Sequence, residues 1–188
     1  RVAVIGGGAA GVELALCAEH RIRKSGGLPE LTLIDANSQI LAGFRNRTIR
    51  LAEEELRQRN INVRCGARVT GCDGLDLIFD DGHSLTADVV VWATGACPQS
   101  LLRNVNLPKS KAGFLRVQST LQSVGDESIF VVGDSAEIDN ENIDRAGVYA
   151  VRQGPILWQN LTRRLEGRKL IAYKPQRDFL RLLATGDG

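Results

Sequence analysis

The chain has 188 residues, 43% of them hydrophobic, enough for one ordinary domain or two small ones around a real core. Its 24 Lys and Arg against 22 Asp and Glu leave a net charge of +2, too near balance to point to nucleic acid or to a membrane surface as partner. No apolar run approaches a membrane span and the first residues already form a strand, so a cytoplasmic location is expected.

The start inside a strand, with no Met anywhere, reads as a piece of a longer protein. Cys17, Cys65, Cys72 and Cys97 stand far apart with no CxxC pair, which argues for reduced thiols rather than a zinc site or a redox disulfide. With His20 and His83 the only histidines, metal and triad chemistry have little to work with.

The organising stretch is Arg1 to Glu13, RVAVIGGGAAGVE. Val2 to Ile5 reads as a buried strand that enters a glycine turn and then a helix from about Ala9 to Lys24, stopped near Ser25-Gly26-Gly27. That order is the context of the dinucleotide fingerprint G-x-G-x-x-G. Gly6 would make the tight turn, Gly8 would let backbone approach a pyrophosphate, and Gly11 would let helix and strand pack closely. The phosphates would sit on the free N–H groups around Ala9 and Ala10 at the positive end of the helix. A second strand, Leu31 to Ile34, ends at Asp35, about where the fingerprint expects an acid for a ribose 2′-OH. Such an acid would repel a 2′-phosphate and favour NAD(H), although Arg45 and Arg47 keep NADP(H) open; the plainer reading of Asp35 is a surface or capping acid.

A charged helix follows over Arg45 to Arg59, with Ile49, Leu51, Ala52 and Leu56 expected to face the core. Ile61 to Cys65 is a short strand, and Ala67 to Cys72, Leu75 to Phe79 and Ser84 to Trp92 form an antiparallel meander with a turn at Asp80-Asp81-Gly82. The meander leads into Ala93-Thr94-Gly95. Beyond Ala96 the expected elements are a strand near Phe114 to Val117 and another over Ser128 to Val132 that ends in Gly133-Asp134. A polar loop, Asp139 to Asp144, then precedes a helix over Arg145 to Leu165 that Pro155 should kink or deprive of a hydrogen bond. Trp92 and Trp158 read as packing aromatics, and the tail to Gly188 shows no evident structure.

Three pieces in this order, GGGAAGVE, VVVWATG and IFVVGDSA, resemble flavoproteins with two dinucleotide-binding domains, especially type II NADH dehydrogenases and related pyridine nucleotide-disulfide oxidoreductases. Tyr173-Lys174-Pro175-Gln176-Arg177, Phe179-Leu180 and Ala184-Thr185-Gly186-Asp187 look more particularly like the NADH-dehydrogenase-like domain fused to selenide, water dikinase. The resemblance implies an α/β fold: a Rossmann-like NAD-binding domain with a β-meander crossover over residues 1 to 95, then over 96 to 188 an incomplete half of an FAD-binding domain whose first half lies upstream.

It also implies roles. Glu13 is placed near the nicotinamide, against the alternative of a carboxylate that complements the helix N-terminus. Thr94 and Gly95 form a tight crossover against either cofactor, or simply a turn that needs small residues. Gly133 and Asp134 match a flavin motif in which the acid holds the ribityl chain, and Gln153 lines the acceptor side; a strand-ending Gly-Asp is also ordinary turn chemistry. The implied activity is hydride transfer from NADH to FAD and electron transfer to an unidentified acceptor, a quinone among the candidates, with no residue of this chain as catalytic acid, base or nucleophile. The alternative is a non-catalytic nucleotide-sensing module fused to another enzyme. An uncovered apolar face in the second half would call for dimerisation, strand exchange or disorder.

Overall fold

The computed structural model describes residues 1–141, 143, 145–176, 179 and 181–187. Asp144 of the expected polar loop, Arg177 and Leu180 of the tail motif, and Gly188 lie outside them. The chain forms two compact units, Arg1–Gly95 with Arg181–Gly188, and Ala96–Leu180.

The first unit is built on a four-stranded parallel sheet, order β3-β2-β1-β7, from β1 (Val2–Ile5), β2 (Leu31–Ile34), β3 (Asn62–Arg64) and β7 (Val89–Trp92). Alternation along β1 decides what covers it. Val4 joins Leu33, Val12 and Leu16 beneath α1 (Ala9–Lys24) and α2 (Asn46–Gln58), whereas Ala3 and Ile5 join Leu77 and Phe79 of a three-stranded meander. Both faces are buried, which is why these parallel strands read as unbroken apolar runs.

Three expectations are corrected here. Ser84 to Trp92 is two strands, because the chain changes sheets at Ala87-Asp88: the Ala87 N–H donates to the Leu75 carbonyl, but the Asp88 N–H donates to that of Arg1. β6 (Ser84–Thr86) therefore completes the meander of β4 (Val69–Asp73) and β5 (Asp76–Phe79), and β7 pairs in parallel with β1. Leu51 does not face the core and is 63% exposed, since Ile49, Ala52 and Leu56 hold the inward three- and four-residue spacing and Leu51 falls outside it. Trp92 is exposed as well, because β7 is an edge strand.

The tail, expected with the second half, groups with the first unit. Arg59 explains it: Nη1 donates to the Thr185 carbonyl at 2.7 Å and Nη2 to Asp187 at 3.0 Å. Arg59 also faces Glu19, a buried acid that Arg23 pairs at 2.5 Å. Gly186 sits at φ +85°, where a Cβ would lie 2.9 Å from the Cys17 Cα, so the docked tail accepts only glycine there. Arg59→Ala should release residues 181–187 and leave Glu19 short of a partner, costing about 2 kcal/mol. Faster proteolysis in the tail together with a lower melting temperature checks this. The Asp187 carboxyl is held below its ordinary range by the Thr185 hydroxyl first, then by its own backbone N–H, Arg59 and His20. A carboxyl so depressed favours docking above its ordinary pKa, so tail protection should fade as pH falls through the lowered value.

The second unit holds a parallel pair, β8 (Leu115–Val117) and β9 (Ala136–Ile138), a short helix α3 (Ser100–Arg103) and the long α4 (Gly147–Leu165). The expected strand over Ser128 to Val132 is absent. A strand needs a ladder, and this segment finds only an antiparallel bridge between Phe130 and Gln122. Val131 and Val132 instead pack on Val117, Leu121, Ile138 and Tyr173. α4 runs on through Pro155; the carbonyl of Val151, which has no N–H to accept at position 155, belongs to an exposed residue. Trp158, expected to pack, is exposed on the outer side of this helix.

Asn160, fully buried, ties the extended segment to α4. Its Nδ2 donates to the Thr120 and Ile171 carbonyls at 2.9 and 2.8 Å, and its Oδ1 accepts the Ile171 N–H at 2.9 Å. Asn160→Ala strands these groups and should cost about 2 kcal/mol, read as a lower denaturant midpoint.

Candidate functional site

The carboxyl ends of β1, β2 and β7 meet at one edge of the parallel sheet. β1 is followed by β2 on one side and finally by β7 on the other, so the strand order reverses there, as at the ligand crevices of open α/β sheets. Gly6, Gly8, Ala9, Ala10, Gly11, Asp35, Thr94 and Gly95 all lie at this edge.

The glycines divide by what constrains them. Gly6 has φ +113°, and a Cβ on it would lie 2.8 Å from the Ala93 carbonyl carbon, so the ATG stretch packs directly on the turn. On Gly11 a Cβ would run into the Gly6 carbonyl oxygen and lie 2.9 Å from its carbon. Gly8 differs. Its φ of −72° suits any residue, and a Cβ there would meet nothing within 4 Å. The chain's own packing thus gives no reason for glycine at Gly8, and the open space before it is what an approaching ligand would use. A Cβ on Gly95 would likewise meet nothing within 4 Å.

Gly8 is also the N-cap of α1. The first intrahelical bond runs from Val12 N–H to Gly8 O at 3.0 Å, no side chain caps the end, and no acid stands in the first turn. The N–H groups of Ala9, Ala10 and Gly11 and the positive helix end therefore face the crevice without an anion from the protein. Glu13 comes one turn later and is half-buried, outside the first-turn positions where it would complement the helix terminus.

Asp35 is buried and fixed. Its Oδ2 accepts the Gly7 N–H in a short hydrogen bond, and its Oδ1 accepts the Asn37 N–H at 2.6 Å. Each oxygen keeps a lone pair for a further donor such as a ribose hydroxyl. Gly7 is a site residue that sequence reasoning passed over: its N–H holds Asp35, its carbonyl accepts the Leu41 N–H at 2.7 Å, and a Cβ on it would lie 2.9 Å from the Asp35 Cβ. Its place as the middle glycine of the run Gly6-Gly7-Gly8 was its signal. Burial first, then the Asp35 and Glu53 carboxylates, push the nearby Cys65 thiol up, which makes it a poor nucleophile. Arg45 and Arg47, at the start of α2, are exposed.

The second unit gathers Gly133, Asp134 and Gln153. Gln153 is buried on α4, and its Oε1 accepts the Gly133 N–H at 2.6 Å, which pins the Gly-Asp turn to the helix. Asp134 is exposed. A cleft of about 180 Å³ opens beside them, lined also by Glu137, Arg145 and Tyr149. Arg145 pairs with Glu137 at 3.1 Å and lies over the Phe114 ring; sequence reasoning did not single out these four residues, and only Arg145, just before the helix, carried a positional signal. The cleft is smaller than the ~300–1,000 Å³ of a whole-ligand site, so it suits part of a large cofactor.

Comparison with known proteins follows the same outline. A family profile described as pyridine nucleotide-disulphide oxidoreductase matches residues 1–161. The chain is 29% identical over 194 residues to the demethylphylloquinone reductase NdbB of Synechocystis sp., covering 99% of the chain and 47% of that protein. It is 28% identical over 151 residues to the type II NADH:quinone oxidoreductase of Haemophilus influenzae, covering 75% of the chain and 34% of that protein. In fold it is similar to the water-forming NADH oxidase from Lactobacillus brevis bound to NADH, with a TM-score of 0.71, 24% identity, and coverage of 92% of the chain and 38% of that structure. The chain thus spans half or less of the length of these relatives.

Proposed function

The chain belongs to the pyridine nucleotide-disulphide oxidoreductase family, and from that premise we propose that it is the NAD(P)H-binding part, with half a flavin site, of an FAD-dependent oxidoreductase that takes hydride from NADH and passes electrons to a second acceptor. Gly8 carries the reading: it is glycine at a fingerprint position where the protein itself imposes nothing, before a helix end without an acid. Arg1–Gly95 is the nucleotide unit and Ala96–Leu180 the returning part of the flavin domain. The names of the quinone reductases among its relatives favour a quinone as acceptor.

In this reading the pyrophosphate lies on the N–H groups of Ala9, Ala10 and Gly11 and approaches the backbone at Gly8. Asp35 takes the adenosine ribose hydroxyls and disfavours a 2′-phosphate. Thr94 and Gly95, which follow the Ala93 carbonyl packed on Gly6, border the path of the nicotinamide half, toward which Glu13 is assigned. Asp134 holds part of the flavin side chain, with Gln153 fixing the turn that carries it. Bound flavin supplies the hydride acceptor; this chain's residues position the groups that react.

Calorimetric titration should show NADH binding more tightly than NADPH, and equal or stronger NADPH binding would overturn the role given to Asp35. The longer parent, purified with its flavin, should be yellow and bleach on NADH addition; a protein colourless after flavin reconstitution would overturn the oxidoreductase reading.

A further inference from the structure

Residues 181–187 lie on the nucleotide unit as an extended segment. Arg181, Leu183 and Thr185 are half-buried while Leu182 and Ala184 between them are exposed, the two-residue alternation of a strand covered on one side. Its far end is anchored by Arg59, which holds the Thr185 carbonyl and Asp187, and by Gly186 against Cys17. Leu183 packs on the core beneath α1 and α2. At its near end the Arg181 guanidinium lies over the Phe44 ring, 4.7 Å from the ring centre.

Phe44 joins this segment to the glycine turn through a series of main-chain bonds. Its N–H donates to the Leu41 carbonyl at 2.9 Å, the Leu41 N–H donates to the Gly7 carbonyl at 2.7 Å, and the Gly7 N–H donates to Asp35. The middle link is strained. Leu41 has φ +51°, in the left-handed region where a bulky side chain is an outlier, and it is 1% exposed. Such a conformation persists only where its surroundings hold it. The core and the Gly7 carbonyl hold Leu41 itself; the end of its loop is held by Phe44, packed on the core and covered by Arg181.

We propose that residues 181–187 are a strap that positions the phosphate turn, with Arg181 a positioning residue acting through Phe44 and Leu41, so that strap docking and NADH binding strengthen each other. The proposal rests on the nucleotide reading of the Gly6 to Gly11 turn. With the strap docked, the loop from Asp35 to Phe44 is fixed, and Gly7 presents Gly8 and the start of α1 in one arrangement. With the strap released, Leu41 is free to leave the left-handed region and its bond to the Gly7 carbonyl weakens. Only a fraction of the chains then holds the turn ready, and the apparent affinity falls by that fraction. Linkage demands the converse: bound NADH favours the docked strap by the same factor.

The test compares three variants of the full chain. Gly186→Val drives a branched side chain into Cys17 and releases the strap, Arg181→Ala removes only the cover of Phe44, and Arg181→Lys keeps a cation over the ring. In hydrogen exchange without nucleotide, the Leu41 and Phe44 amides should exchange at least about fivefold faster, relative to β1 and β2, in Gly186→Val and Arg181→Ala, and near the unaltered rate in Arg181→Lys. Calorimetry should show NADH affinity lowered at least about fivefold in the same two variants and largely kept in Arg181→Lys. In the unaltered chain, saturating NADH should slow exchange at residues 181–187 by a like factor, an effect that a tail serving stability alone would not give. Unchanged exchange at Leu41 and Phe44 in the release variants, NADH affinity equal to that of the unaltered chain, or tail exchange indifferent to NADH overturns the proposal. An unaltered chain that binds no NADH overturns the nucleotide reading and the coupling with it, while exchange at Leu41 and Phe44 still shows whether the strap braces the turn.

Discussion

Gly8→Ala should weaken NADH binding at least tenfold, about 1.4 kcal/mol, while leaving the chain folded and nearly as stable. A methyl at Gly8 meets no protein atom within 4 Å, and the backbone there is already extended. The stability cost is confined to exchanging glycine for a poorer N-cap, at most about 1 kcal/mol. Gly11→Ala should do the reverse. Its Cβ would be driven into the Gly6 carbonyl, backbone against backbone, so that α1 must lift from β1 and lose the contacts of Val12 and Leu16 with Val4 and Leu33. A loss above about 4 kcal/mol follows from such overpacking, and binding fails because the unit no longer folds. The two variants, compared by thermal unfolding and by NADH titration, separate a glycine kept for the ligand from one kept for the fold. If Gly8→Ala bound NADH as tightly as the parent sequence, no pyrophosphate would lie at the turn.

What was legible in the sequence follows from the range of the interactions involved. β1, α1, β2 and α2 were legible almost to the residue, because an apolar run, a glycine turn and a three- and four-residue spacing are local signals. The division of Ser84 to Trp92 was not, since what separates β6 from β7 is a change of partner between Ala87 and Asp88, from Leu75 to Arg1, with no Gly or Pro to mark it. The strand expected at Ser128 to Val132 has the composition of a buried strand and lacks a neighbour to make it one. Within the site, Gly6, Gly8 and Gly11 carried a spacing. Gly7 carried none, because its reason for being glycine is an aspartate twenty-eight residues away.

The tail shows the same limit from the other direction. Ala184-Thr185-Gly186-Asp187 had a recognisable wording and no structural reading, because its partners, Cys17, His20 and Arg59, come from the first third of the chain. A buried acid such as Glu19 was equally hidden within a polar helix sequence. Its burial is tolerated only because Arg23 and Arg59 converge on it, and Arg59 then serves the tail as well.

Asp35→Ala should be costly twice over. In the folded chain the carboxylate is the acceptor for the buried Gly7 N–H and for the Asn37 N–H, and alanine leaves both donors without it. Loss of an acceptor for a buried donor costs about 1–3 kcal/mol, and here the loosened segment is the phosphate turn itself, so NADH affinity should fall at least tenfold. Asp35→Asn separates the two roles. Its Oδ1 can still accept one N–H while its Nδ2 opposes the other, so stability should lie between those of the parent sequence and the alanine variant. With the negative charge gone, the repulsion of a 2′-phosphate disappears, and the ratio of NADPH to NADH affinity should rise in Asp35→Asn even as the absolute affinity for NADH drops. Titration of both nucleotides against both variants, with unfolding midpoints measured alongside, gives the answer. A lowered midpoint with an unchanged nucleotide ratio would make Asp35 a structural acceptor for the Gly7 turn and leave nucleotide choice to other residues.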